Sequence, residues 1–144
     1  MADIRKIDDT ISVAPQISAG DVAEAKALGF VAFVNNRPDG EEPSAPQGDE
    51  IAAAVASAGL TYTAIPITHA GFSHPQIDAM VATLEAANGP VLAYCRSGTR
   101  SCNLWALARA KMGDDPDTLV EKGAAAGYDL NGLRPLLETL SGKA

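Results

Sequence analysis

The chain has 144 residues, of which 47% are apolar and 20% charged, and this size and balance suit a soluble domain with one hydrophobic core. Its formal net charge of −7 argues against a general role in binding nucleic acid or anionic membranes. No apolar run approaches the roughly 20 residues of a membrane span. The N-terminal MADIRKIDDT has no apolar signal core, so we expect a cytoplasmic protein.

The first half of the chain alternates between short apolar strands and helices. A strand is predicted at residues 11–13 and is closed by Pro15. Ser18 is a suitable N-cap for a helix that ends at Gly29, and the apolar run at residues 30–34 predicts a buried strand. The following NNRPDGEEPSAPQG contains three prolines and two glycines, which is typical of a loop.

The second half continues this alternation. Pro75 suits the first turn of a helix after the loop THAGFS. DPDTLVEKGAAAG and NGLRPLLETL are predicted to be two closing helices. The other predicted elements are a helix at 49–58, a strand at 60–67, a helix from Pro75 to about Asn88, a strand at 90–94 and a helix through Met112.

This order of elements predicts a single α/β domain over residues 1–144, with a mainly parallel central sheet flanked by helices. In such sheets, functional sites lie at the carboxyl ends of the strands. Three loops follow predicted strands in that way, at residues 35–40, 68–73 and 96–100. We expect these loops to converge.

The segment VLAYCRSGTRS places a cysteine at the end of a buried strand and at the start of a helix. The helix dipole and loop N–H groups can stabilise negative charge on Cys95, and Arg100 can bind a tetrahedral oxyanion with two hydrogen bonds. Gly98 allows the turn, and Ser101 is predicted to donate a hydrogen bond to the sulfur. Cys95 and Arg100 are the predicted catalytic residues. The predicted anion-binding loop comprises Arg96, Ser97, Gly98, Thr99 and Ser101.

The same segment has a simpler interpretation. Cys95 can be a buried structural cysteine that precedes a surface loop, because cysteine is among the residues most often buried. Arg96 can equally be a solvated charge or a ligand contact. The glycine and the two arginines favour the functional interpretation.

The loop resembles those of two families that use cysteine chemistry. Protein tyrosine and dual-specificity phosphatases have five residues between the Cys and the Arg, whereas rhodanese-type sulfurtransferases commonly have four, as here. The stretches NNRPDGEEP, YTAIPIT, YCRSGTRS and AAAGYDLNGL are similar to motifs of the beta-lactamase hydrolase-like phosphatase-like family. That resemblance covers roughly residues 4–140 and implies the fold of the dual-specificity and tyrosine phosphatases.

The resemblance leaves the reaction open. The dual-specificity pattern has an acidic residue in the loop that is THAGFS here, and this loop has no carboxylate. His69 and Asp39 are possible substitutes, although a solvated histidine and a turn-forming aspartate are equally ordinary. Sulfur transfer through a Cys95 persulfide needs no strong proton donor. We therefore expect a sulfurtransferase first, a phosphatase with a phosphocysteine as the alternative, and a non-catalytic anion-binding module as a third hypothesis.

Other side chains have auxiliary roles in these hypotheses. Arg37 can add positive charge to the site or lie on the surface. Cys102 can resolve an oxidised Cys95, although it more readily packs in the core beside Trp105. The acidic run of Asp39, Glu41 and Glu42 is interpreted as a solvated face.

The hypotheses differ in the partner that they imply. The expected substrate is a small anionic sulfur donor, thiosulfate or a persulfide, or else a phosphoester. The family resemblance adds a persulfide-oxidising enzyme as a possible partner. Two cysteines and two histidines make neither a disulfide framework nor a zinc site, so no cofactor or metal is expected, and neither a nucleic acid nor a membrane is an expected partner.

Overall fold

A five-stranded sheet organises the computed structural model, which describes residues 3–68 and 70–142. The strand order is β1-β2-β5-β3-β4, and every neighbouring pair is parallel except β1 with β2. The predicted α/β fold with a mainly parallel sheet is therefore confirmed. The strands are β1 (Arg5–Asp8), β2 (Ile11–Ala14), β3 (Ala32–Asn35), β4 (Thr61–Ala64) and β5 (Val91–Tyr94).

Six α-helices connect and cover these strands in the described part of the chain. The side chain of Ser18 caps α1 as predicted, by accepting a hydrogen bond from the Asp21 N–H. The helix predicted from residue 49 begins one residue earlier, at Gly48, whose N–H donates to the Asp39 carboxylate at 2.7 Å. The helices are α1 (Ala19–Ala27), α2 (Gly48–Ser57), α3 (His74–Ala86), α4 (Thr99–Lys111), α5 (Pro116–Ala125) and α6 (Arg134–Ser141), with a 3₁₀ turn at Asn131–Leu133.

The sheet separates two layers of packed side chains. Leu92 and Tyr94 of β5 pack in one layer with α1 and α2, whereas Val91 and Ala93 pack in the other with α3, α4, α5 and α6. Alternate residues of a strand point to opposite faces, so β5 contributes to both layers. Helix α4 is the central helix of the second layer, and its Trp105 is fully buried.

Strand β1 is not among the predicted strands. Its sequence is mostly polar, and only Ile7 of its four residues is buried. It forms by antiparallel pairing at the edge of β2, in the register Arg5 with Val13. An edge strand of this kind has no continuous apolar run that would identify it in the sequence.

Two further findings concern the helices and the metal-ligating side chains. None of the helices within residues 3–68 and 70–142 is long and apolar enough to cross a membrane. Among the same residues, no group of three or more His, Cys, Asp or Glu side chains is placed to hold a metal ion. A cytoplasmic location and a single domain over the whole chain stay predictions.

Candidate active site

Cys95 lies directly after β5, at the carboxyl edge of the sheet, and its side chain is fully buried. Its backbone N–H donates to Ala14 O at 3.2 Å, which continues the pairing of β5 with β2 for one residue. The Gly98 N–H donates to the Cys95 Sγ at 3.1 Å. Helix α4 starts at the next residue, so the positive end of its dipole lies beside the sulfur.

Gly98 is required by both its conformation and its neighbour. Its φ is +89°, in the left-handed region, and a Cβ built there would lie 2.2 Å from the Tyr128 Oη. That hydroxyl donates to Ser97 O at 3.1 Å. Tyr128 therefore packs against the loop and fixes the backbone that follows the cysteine.

Arg100 projects from the first turn of α4 and is held by two loops. Its Nη1 and Nη2 donate to the two carboxylate oxygens of Glu41 at 2.8 and 2.7 Å, and Nη1 also donates to Ile67 O at 2.9 Å. The hydrogen bonds to Glu41 raise the pKa of Arg100, burial opposes this, and the charge of Cys95 adds to it. The guanidinium is therefore bound to the Glu41 carboxylate and is near enough to Cys95 to be affected by its charge.

Glu41 departs from the interpretation of the acidic run as a solvated face, whereas Asp39 and Glu42 are exposed. Its side chain is only 26% exposed and accepts hydrogen bonds from both Arg100 and Arg37. The hydrogen bond from Arg100 lowers the pKa of the Glu41 carboxyl, burial opposes this, and Arg37 lowers it further. In the sequence, the (i, i+4) spacing of Arg37 and Glu41 could have indicated their ion pair. The contact of Glu41 with Arg100 has no such local signal, because the two residues are 59 positions apart.

Two of the three predicted loops, 68–73 and 96–100, line one cavity of about 360 Å³ beside the cysteine loop, and Glu41, the residue after the predicted loop 35–40, completes its wall. Arg96 and Ser97 are exposed at this mouth. The lining residues are Glu41, Thr68, Arg96, Ser97 and Arg100.

Ser101 differs from its predicted role. Its hydroxyl donates to the Asn36 Oδ1 at 2.8 Å instead of to the Cys95 sulfur. Asn36 is fully buried, and its amide nitrogen donates to Ile65 O, so its oxygen is the acceptor that faces the serine. Ser101 thus ties the start of α4 to the loop after β3. In the cysteine loop itself, the Ser97 hydroxyl donates to the Thr99 hydroxyl at 3.1 Å.

The auxiliary residues have different positions. Arg37 is buried and contacts Glu41, so it belongs to the site through that carboxylate. Asp39 accepts a hydrogen bond from the N–H of Gly48, the first residue of α2, at 2.7 Å. It is not among the residues that line the cavity beside the cysteine loop. His69, the other predicted substitute for the acid, lies outside the described residues.

Cys102 packs in the core, in the cluster that contains Trp105. Burial raises the pKa of Cys102 to about 12, and the nearby Cys95 contributes. The thiolate is the reactive form of cysteine, so Cys102 is poorly suited to resolving an oxidised Cys95 at neutral pH.

Sequence comparison places this site in a known context. Residues 3–112 match the family described as "Beta-lactamase hydrolase-like protein, phosphatase-like domain". Beta-lactamase hydrolase-like proteins of Agrobacterium fabrum and Xylella fastidiosa are each 33% identical to the chain, over 126 and 125 residues. These alignments cover 87% and 86% of the chain but only 29% of each relative.

Comparison with solved structures supports the same assignment. The chain is similar to a Neisseria meningitidis protein whose structure is described as that of a "putative phosphatase", with 32% identity, a TM-score of 0.80 and coverage of 95% of this chain and 97% of the other. It also shares its fold with P. aeruginosa TpbA, a cysteine-to-serine form of which was solved with phosphotyrosine, at 18% identity, a TM-score of 0.65 and coverage of 96% and 88%. The predicted phosphatase fold is confirmed.

Proposed function

The chain belongs to the phosphatase-like domain family of beta-lactamase hydrolase-like proteins, and we propose that it is a phosphoric monoester hydrolase whose nucleophile is Cys95. The observation that carries the proposal is the pairing of a strand-end sulfur with a helix N-terminus, next to an arginine that lines a cavity. The Gly98 N–H donates to the sulfur, and Arg100 is near enough to Cys95 for the cysteine to raise the pKa of the arginine. These groups complement a phosphoryl group that bonds to sulfur.

The reaction proceeds in two displacements. The phosphoryl oxygens bind Arg100 and the first N–H groups of α4, which lack acceptors within the helix. The Cys95 thiolate attacks phosphorus, a P–S bond forms, and the P–O bond to the leaving group breaks. The departing oxyanion takes its proton from water. A water molecule then attacks the phosphocysteine, the P–S bond breaks, and inorganic phosphate and the thiolate are released.

Sulfur transfer was favoured on sequence grounds, and neither the family nor the similar structures support it. The preference depended on the missing acid in the loop THAGFS and on the count of four residues between Cys95 and Arg100. In the structure, Arg100 is still near enough to Cys95 for the cysteine to raise its pKa, and it lines a cavity of about 360 Å³. That space admits a phosphate ester. A sulfur donor and a persulfide-oxidising partner enzyme likewise have no support in these relatives.

The phosphotyrosine bound to TpbA suggests the substrate class. We propose aryl phosphate monoesters, phosphotyrosine among them, because a phenolate leaves without a strong proton donor. This choice agrees with the absence of a carboxylate from the segment IPITHAGFS between β4 and α3.

The test compares wild type, Cys95→Ser and Arg100→Lys on an aryl phosphate, with thiosulfate assayed in parallel. We expect phosphate release by wild type, none by Cys95→Ser, and a loss of roughly 100-fold or more with Arg100→Lys, which cannot form the two-point contact. Acid quenching during turnover should trap a phosphoryl group on Cys95, visible by intact mass. Turnover that survives Cys95→Ser would refute the mechanism, and sulfane transfer without phosphate release would restore the sulfurtransferase hypothesis. The absence of both activities would favour a non-catalytic binding module.

A further inference from the structure

Arg96 differs from every other basic residue in the described part of the chain, because its side chain makes no hydrogen bond or ion pair within residues 3–68 and 70–142. Lys26 donates to Ala58 O at 2.7 Å. The remaining basic side chains of these ranges pair with carboxylates, and they are Arg5, Lys6, Arg37, Arg100, Arg109, Lys111, Lys122 and Arg134. The chain has 18 acidic and 11 basic residues, so a shortage of carboxylates does not explain an unpaired arginine.

The surroundings of Arg96 account for its lack of a partner. It is exposed and lines the cavity of about 360 Å³ beside the cysteine loop, together with Glu41 and Arg100. Glu41 is the one carboxylate among the described residues that line this cavity, and both of its oxygens already accept hydrogen bonds from Arg37 or Arg100. The five N–H donors of Arg96 are therefore left without an acceptor at the cavity.

Arg96 and Arg100 are suited to different parts of a substrate. Arg100 is partly buried and near enough to Cys95 for the cysteine to raise its pKa, so it is placed to bind the phosphoryl group. The Cα of Arg96 is about 3.8 Å from that of Cys95, as for any two consecutive residues, but its side chain is exposed at the mouth of the cavity. The organic part of a bound ester leaves the cavity through this mouth. A guanidinium there suits a second anionic group, because its planar fork matches carboxylate oxygens.

We propose that Arg96 is a specificity-determining residue that binds a carboxylate on the leaving-group side of the ester, so that the preferred substrates are aryl phosphates with a second anionic group. This inference rests on the proposed phosphatase function and narrows its substrate class. The carboxylate can belong to a small aryl phosphate or to an acidic residue beside phosphotyrosine in a peptide. In either case the ion pair forms at an exposed position, so its contribution is modest and is screened by salt.

A specific contact and a general attraction of anions predict different results. A positive charge that merely attracts anions raises kcat/KM for all phosphate esters by a similar factor. A specific contact raises kcat/KM only for the esters that carry the carboxylate. The ratio of kcat/KM between a carboxylate ester and its neutral isostere therefore measures the contact, and it cancels any effect of a substitution on chemistry that both esters share.

The experiment compares 3-carboxyphenyl phosphate with 3-carbamoylphenyl phosphate, its neutral isostere. The ratio of their kcat/KM values is measured for wild type, Arg96→Gln and Arg96→Lys, with Lys6→Gln as the matched control. Lys6 lies on the edge strand β1 and is not among the residues that line the cavity, so Lys6→Gln makes the same charge change away from the site. A second arm uses two phosphotyrosine peptides that differ only in a flanking glutamate or glutamine.

We expect wild type to prefer the carboxylate ester by about 3- to 10-fold, and the ratio to fall close to 1 in Arg96→Gln. Arg96→Lys should keep part of the preference, because it retains the charge but not the two-point contact. Lys6→Gln should keep the wild-type ratio, and about 1 M salt should reduce the wild-type preference. A preference in one arm alone supports the contact and assigns the carboxylate to a small ester or to a peptide accordingly.

No preference for the carboxylate in either arm would overturn the inference, as would a preference that survives in Arg96→Gln or one that is lost equally in Lys6→Gln. If wild type hydrolyses no phosphate ester, the proposed function fails, and calorimetry with the same two esters still decides the role of Arg96. Tighter binding of the carboxylate ester that disappears in Arg96→Gln would support the contact. Equal binding of the two esters, or binding of neither, would overturn it.

Discussion

At the scale of single residues, the geometry of the cysteine loop depends on Gly98. The Gly98 N–H donates to the sulfur, its φ of +89° turns the following chain into α4, and Tyr128 occupies the space that a side chain would need. The left-handed φ of Gly98 and the packing of Tyr128 together fix the backbone conformation of the loop.

We expect Gly98→Ala to abolish most of the aryl phosphatase activity and to lower the free energy of unfolding by about 1–3 kcal/mol, because a non-glycine residue is strained at this φ. Urea unfolding and steady-state assays provide the measurement. Adding Tyr128→Phe removes the hydroxyl that the new Cβ would meet, and should restore part of the stability but little activity. A Gly98→Ala protein with wild-type stability and rate would contradict this account.

The choice of leaving group is also decided by single residues. Asp39 is engaged with Gly48, and the segment between β4 and α3 carries no carboxylate. We therefore expect kcat/KM to fall by roughly 10²- to 10⁴-fold from aryl to alkyl phosphates, the usual contribution of a general acid. Asp39→Asn should leave the ratio of aryl to alkyl rates unchanged. Comparable rates on both classes, or a change of the ratio in Asp39→Asn, would reveal an acid that this assignment omits.

At the scale of elements, the turn between β1 and β2 joins the sheet edge to helix α5. Asp8 accepts hydrogen bonds from the Thr10 N–H at 2.8 Å and the Ile11 N–H at 3.2 Å, and pairs with Lys122 at 2.9 Å. Burial raises the pKa of Asp8, but the hydrogen bonds from Thr10 and Lys122 outweigh it, so the pKa lies below its ordinary value. The contribution of Asp8 to stability is therefore present above about pH 4 and is lost as the pH falls through the lowered pKa.

Asp8→Asn should thus lower the free energy of unfolding by about 1 kcal/mol at pH 7, with a difference that shrinks towards pH 3. Urea midpoints at the two pH values measure it. Asp9→Asn makes the same charge change at a side chain that is 95% exposed, and should have little effect at either pH. An Asp8→Asn effect that grows in acid would have the wrong sign for this linkage.

The elements also explain what the sequence could predict. The Ser18 cap, the loop after β5 and the carboxyl-edge position of Cys95 follow from signals within a few residues, and each agrees with the structure. Strand β1 and the partners of Glu41 depend on chain segments that fold against them. A polar edge strand has no apolar run, and the Glu41–Arg100 contact spans 59 residues, so neither has a local signal strong enough to identify it.

At the scale of the whole molecule, the site depends on residues beyond the region that matches the family. The match ends at residue 112, yet Tyr128 fixes the cysteine loop from the segment after α5. Leu119 of α5 and Leu137 of α6 are fully buried in the core cluster that contains Trp105. The two closing helices are therefore part of the domain that forms the site.

Truncation after Gly113 tests this dependence. The truncated chain loses several side chains whose burial contributes about 1.5–3 kcal/mol each, against a typical total stability of roughly 5–15 kcal/mol. We expect it not to unfold cooperatively, whereas the full chain should show one transition, coincident by circular dichroism and by fluorescence of Trp105, the single tryptophan. Leu137→Ala should lower the stability of the full chain by about 2–5 kcal/mol, because the site of a fully buried leucine collapses only in part. A truncated chain that folds cooperatively and retains phosphatase activity would show that the closing helices are dispensable, and would confine the functional unit to the family-matched region.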